Sequence, residues 1–173
     1  TQGFLNFASS PIQVLPKNSF GAFSMQPSSK TKKREQELGP EITVLFVHEQ
    51  AQHLARYEEC LRIRNVQVAH VRNCQEASQA LQQDSPPLLV FTDTRLSDGT
   101  FRDVLEVAAK AEKFVNVLVA SKIGNITLYM EAMECGAFDF LTPNLELRRF
   151  PSILVSATAD ALDKRSRQTQ EAA

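Results

Sequence analysis

Apolar positions along the chain fall into two alternating kinds of segment from Glu41 onward. Ile42 to Val47 is an unbroken apolar and β-branched run, as a strand buried on both faces requires. Ala51, Leu54, Tyr57 or Glu58, and Leu61 follow at helical spacing with charged residues between them. Val66 to Val71 predicts a second strand, and its admixed polar residues suit a sheet edge. Ala77, Ala80 and Leu81 mark a short helix that stops before Asp84-Ser85-Pro86-Pro87. Leu88 to Thr92 predicts the third strand, and Phe101, Val104, Leu105 and Ala108 the next helical face. Val115 to Ala120 is the fourth strand, and Ile126, Tyr129, Met130 and Met133 line the helix after it. Phe138 to Leu141 makes a short fifth strand. A last helix begins near Phe150-Pro151, with proline in its first turn, and runs towards Arg165.

Five βα units in succession imply right-handed crossovers and a parallel sheet covered on both faces. The fold class predicted is α/β: a flavodoxin-like, doubly wound (βα)5 three-layer sandwich with strand order 2-1-3-4-5. In that order the ligand crevice opens at the carboxyl ends of strands 1 and 3.

Residues 1–40 show neither period, are rich in Ser, Gln, Asn, Lys and Pro, and end at Gly39-Pro40. Such a segment gains too little burial to offset its ordering entropy and is expected to be a mobile N-terminal tail. The expected domain spans residues 41–166, with 167–173 as a C-terminal tail. At 173 residues and 43% apolar, the chain can bury a core of one domain. The tail carries five Lys/Arg against two Asp/Glu, and the remainder 14 against 18. The basic stretch Lys30 to Arg34 lacks interleaved aromatics and reads as a solvated segment more than as a nucleic-acid contact. Cys60, Cys74 and Cys135 form no C-x-x-C pair, which suggests reduced thiols. No apolar run is long enough to span a bilayer, and no signal peptide is evident, so a cytoplasmic location is expected.

Candidate chemistry gathers where the fold predicts it. Strand 1 ends in His48-Glu49, strand 3 in Thr92-Asp93, strand 4 in Ala120-Ser121-Lys122 and strand 5 in Leu141-Thr142-Pro143. Two carboxylates on one rim suit a hard divalent cation such as Mg2+. A carboxylate beside such an ion can attack phosphorus as a nucleophile.

Two stretches resemble the receiver domain of bacterial two-component response regulators. Phe91-Thr92-Asp93-Thr94-Arg95-Leu96-Ser97-Asp98-Gly99 is similar to the D-x-x-L-x-D-G segment after strand 3. Glu134 to Pro143, containing Gly136-Ala137-Phe138-Asp139-Phe140-Leu141, is similar to the G-A-x-D-[FY]-[LI] run around strand 5. The resemblance covers roughly residues 41–165 and implies Asp93 as phosphoacceptor, Ser121 as switch hydroxyl and Phe140 as switch aromatic. It implies a Mg2+ site made by Glu49, Asp93 and the backbone carbonyl of Arg95. Histidine kinases or phosphotransfer proteins would be the partners, and helix 4, strand 5 and helix 5 the output face. No DNA-binding segment follows helix 5, so a stand-alone receiver acting through a protein partner, a homodimer or a phosphorelay is expected, with no direct DNA binding and no membrane contact.

The pocket departs from the family pattern at three places. His48 replaces the first of two acidic residues, Lys122 stands where a small residue is usual, and the family lysine has no counterpart. Either Pro143 replaces that lysine, or the lysine is deleted and Pro143 is the family proline. A charge-assisted contact is worth about 1.5–3 kcal/mol, so its loss should weaken phosphorylation without necessarily abolishing it. Arg95 or Lys122 could substitute as a cation, although neither restores the original geometry.

Without the resemblance, Asp93 reads as a turn cap, Glu49 and Ser121 as helix caps, Phe140 as core, and Asp98-Gly99 as a turn opening helix 3. His70 reads as an ordinary edge residue. The competing function is a phosphorylation-independent pseudo-receiver acting as a protein-binding module; an enzyme or flavin carrier on the same fold is disfavoured. The first βα loop, Val47 to Ala51, lacks the glycine- and hydroxyl-rich character of a phosphate cradle.

Overall fold

The computed structural model describes residues 42–49, 54–62, 66–142 and 148–172. Expectations for the tail of residues 1–40 and for Pro143 fall outside these residues. In chain order the elements are β1 (Ile42–Val47), α1 (Ala55–Arg62), β2 (Val66–Val71), α2 (Cys74–Leu81), β3 (Leu89–Asp93), β4 (Arg95–Leu96), β5 (Gly99–Thr100), α3 (Phe101–Ala109), β6 (Asn116–Ala120), α4 (Ile126–Glu134), β7 (Asp139–Leu141) and α5 (Phe150–Glu171).

Five strands form one parallel sheet in the order β2-β1-β3-β6-β7. This is the predicted 2-1-3-4-5 topology. The small antiparallel pair β4-β5 is an addition the hydrophobic pattern does not announce, because two-residue strands carry no period. Alternation along the strands splits the core into two clusters. Val44, Phe46, Leu89, Phe91 and Leu118 pack with Tyr57, Phe150, Leu154 and Ala157 on one face. Leu45, Val47, Val90, Val117 and Val119 pack with Leu81, Phe101, Val104 and Ala132 on the other.

The two family-like stretches have plain structural work. Asp98 accepts hydrogen bonds from the backbone N–H groups of Cys74 (2.7 Å) and Gln75 (2.9 Å), which ties the loop after β3 to the start of α2. Gly99 allows this close approach: a Cβ there would lie 2.7 Å from Asp103 Oδ2 and 2.9 Å from Cys74 Sγ. Asp98-Gly99 therefore does more than open the next helix, whose N-terminus is held by a capping box between Thr100 and Asp103. Gly136, with φ of 93°, ends α4 in the left-handed conformation that favours glycine. Ala137 N–H donates to Ala132 O and Gly136 N–H to Met133 O, which makes a Schellman closure leading straight into β7.

The N–H donor of Cys74, then that of Gln75, hold the Asp98 carboxylate below its ordinary pKa. A depressed folded-state value means that Asp98 stabilises above the unfolded carboxylate pKa and loses that effect as pH falls through the folded value. Asp98→Ala should lower the urea midpoint at neutral pH, and the gap from the native chain should close in acid. Equal destabilisation at every pH would contradict this.

The last helix continues through Arg167 to Glu171, into the stretch expected to be a tail. Gln168 supplies the reason, since its side-chain oxygen accepts the Phe114 N–H at 2.8 Å and gives that turn a partner on the body of the domain.

Candidate functional site

Parallel pairing sets Val47 beside Thr92 and Asp93 beside Ala120, so β1, β3 and β6 end on one rim. Asp93 closes β3 and is half-buried. Its Oδ1 accepts the N–H of Thr94 at 2.7 Å, with the Thr94 hydroxyl at 3.4 Å. Ser121 is buried directly after β6, and its backbone N–H donates to Leu141 O, which fastens the loop to β7. The Ser121 hydroxyl donates to Ile123 O at 2.8 Å, within its own loop. Phe140 is buried in β7, with its ring edge-on to Tyr129 of α4 at 6.1 Å. Arg95 is exposed and paired with Thr100. Lys122 is exposed as well.

The acidic end of β1 is organised differently from the resemblance. His48 is buried, and its Nε2 lies 3.2 Å from Nδ1 of His70 at the end of β2. His70 Nε2 in turn lies 3.5 Å from Glu58 Oε1 on α1. His70 is thus a partnered residue, contrary to its reading as an ordinary edge histidine. Phe46 stacks under the His70 ring at 5.6 Å and meets the His48 ring edge-on at 6.4 Å. Beside the pair is an open cleft of 430 Å³ lined by His48, Glu49, His70, Val71, Arg72 and Glu76. Glu49 is exposed on its rim, and Asp93 is not among the lining residues. Among the described residues, no three His, Cys, Asp or Glu side chains group as a metal site would need.

Burial, reinforced by the nearby Asp98 carboxylate, pushes the Cys74 thiol up to about 12. It is a packing residue at neutral pH, since the thiolate is the reactive form.

The apolar stripe on α4 faces outward. Ile126, Tyr129, Met130 and Met133 are exposed, and Ala132 is the residue this helix buries. With Phe140, Thr142 and Arg149, the first two line an open cleft of 370 Å³ between α4 and β7.

No family model matches the chain. Over 101 residues, 58% of this chain, it is 32% identical to the response regulator protein PilR of Pseudomonas aeruginosa and spans 22% of that protein. It is 26% identical over 123 residues to the photosynthetic apparatus regulatory protein RegA of Rhodovulum sulfidophilum, covering 71% of this chain and 67% of that one. The non-phosphorylated HemR receiver domain of Leptospira biflexa superposes with a TM-score of 0.57 at 24% identity, covering 68% of this chain and 94% of that domain. The fold is that of receiver domains, and the sequence is similar to those of response regulators. No described helix is long and apolar enough to cross a membrane.

Proposed function

We propose that residues 41–166 act as an atypical receiver that takes a phosphoryl group on Asp93 and signals through α4, β7 and α5. The carrying observation is the place of Asp93. It is a half-buried carboxylate at the carboxyl end of β3, on the rim where β1 and β3 part towards opposite edges of the sheet. In the transfer, an Asp93 carboxylate oxygen bonds to phosphorus as the bond to the donor's leaving atom breaks. That leaving group is the imidazole of a kinase or phosphotransfer protein, or acetate from acetyl phosphate. The reading makes the domain a signalling module in the cytoplasm rather than an enzyme.

Mg2+ fits the donor set, because Glu49, Asp93 and the Arg95 carbonyl offer oxygen atoms alone and Mg2+ retains several waters. When bound, the ion neutralises charge on the transferring group. Thr94 N–H already holds one Asp93 oxygen, which orients the carboxylate. Ser121 would have to give up its contact with Ile123 O to reach a phosphoryl oxygen, and that exchange would move the loop before α4.

A second reading, a phosphorylation-independent binding module, is favoured by two observations. His48 is committed to the His70 pair where the family has an acid, and α4 presents an exposed apolar stripe. Intact-mass spectrometry after incubation with acetyl phosphate separates the two. A Mg2+-dependent phosphate adduct that disappears in Asp93→Asn is expected, formed more slowly than on a receiver with the full acidic pair and lysine. Its absence under conditions that label such a receiver would favour the binding module.

A further inference from the structure

The paired histidines at the ends of β1 and β2 carry chemistry that the phosphoryl-transfer reading does not use. His48 and His70 are 22 residues apart in sequence and meet because the register sets Phe46 beside His70. Their facing nitrogens are 3.2 Å apart. Two imidazole nitrogens on one tetrahedral zinc, each about 2.0–2.1 Å from the metal, lie about 3.3 Å from each other. The rings therefore already stand at the separation a shared metal requires.

Their surroundings favour that use. Glu58 lies against the remote nitrogen of His70, where a carboxylate favours the proton on Nε2 and the lone pair on Nδ1. His48 Nε2 then donates the hydrogen bond between the rings, and its proton is released when both facing nitrogens bind a metal. Phe46 holds both rings, by stacking on one and by an edge contact with the other. The cleft beside them gives access and room for water. Glu76 is used elsewhere, since its two oxygens accept from Arg72 N–H and the Asn73 amide.

We propose that His48 and His70 form a two-imidazole site for a divalent transition-metal ion of the zinc type. The carboxylate of Glu58 orients His70 from behind. No third described His, Cys, Asp or Glu groups with the pair, so water completes the coordination and the site stays open. Imidazole suits zinc and copper, whereas Mg2+ takes oxygen, so this site is distinct in chemistry from the one at Asp93. The proposal does not depend on phosphorylation of Asp93.

The test uses the full chain, stripped of metal and titrated with ZnCl2 by calorimetry in millimolar Mg2+. One zinc per chain is expected, undisplaced by Mg2+, with two imidazole scatterers in the X-ray absorption spectrum of the native protein. His70→Gln and His48→Gln should each weaken binding by roughly tenfold or more, and Glu58→Gln by about 10–100-fold. Asp93→Asn should bind zinc as the native chain does. Zinc uptake indifferent to both histidines, an all-oxygen coordination shell, loss of binding in Asp93→Asn, or no uptake would each overturn the proposal. The absorption spectrum keeps the test decisive even where replacing the buried His48 disturbs folding.

Discussion

Phe91→Ala is expected to remove about 3–5 kcal/mol of stability, a large share of the 5–15 kcal/mol that holds a domain of this kind together. Phe91 is fully buried in β3, stacked on Phe46 at 4.9 Å and tilted against Phe150 at 5.7 Å, with Tyr57 beyond Phe150. The loss combines transfer of a phenyl ring with the cavity it leaves beside the three remaining rings of the cluster, and each aromatic pair adds about 0.5–1.5 kcal/mol. Urea denaturation should show a lower midpoint with an unchanged slope. Phe91→Leu fills most of the hole and should cost markedly less. Equal losses for the two variants would mean that the aromatic contacts, and not the filled volume, account for the loss. Phe91 also sets the strand two residues before Asp93, and Phe46 of the same stack supports His48 and His70, so one cluster positions both candidate sites.

The central strands were readable because a sheet covered on both faces needs unbroken apolar runs, and β1 and β3 lie within one residue of where those runs stand. The mixed pattern of β2 marked it as an edge strand. The strand order followed from the number of βα units. Helix α4 shows where periodicity stops informing. Ile126, Tyr129, Met130 and Met133 have the spacing of a buried face, yet they point to solvent while Ala132 meets the sheet. The same i, i+3, i+4, i+7 pattern serves a core or a docking surface, and only packing tells them apart. Asp93 and Ser121 followed from the strand ends, whereas Phe140 came only from the resemblance of the stretch around strand 5. His70 was missed because its meaning depends on pairing across strands: the parallel register of β1 with β2 brings it to His48, and no local pattern spans those 22 positions. Asp98 is a similar case. Its carboxylate serves a helix that begins 24 residues earlier, which a turn signal cannot express.

The end of the domain is a matter of hydrogen bonds more than of helix length, and graded truncation should expose this. Arg165 is half-buried, and burial lowers its pKa from the usual guanidinium range, although the group remains charged at any ordinary pH. Its Nε donates to Phe114 O at 2.7 Å, and Nη2 donates to Pro87 O at 2.7 Å and Pro86 O at 3.2 Å. One side chain thus joins α5 to the segments entering β3 and β6. Removing it strands three carbonyls, two of them on buried prolines. After allowance for partial exposure, Arg165→Ala should cost about 2–4 kcal/mol. Arg165→Lys should recover little, because a single ammonium cannot reproduce the planar fork. Deleting residues 169–173 should leave the melting midpoint almost unchanged, since residues 169–172 are exposed. Deleting 167–173 also removes the Gln168 contact to Phe114 N–H, a loss of about 1 kcal/mol. Deleting 165–173 adds the Arg165 loss and should produce the one large drop in the series. A uniform decline with each residue removed would instead point to helix propensity as the source of stability, and would place the functional end of the domain beyond Arg165 and Gln168.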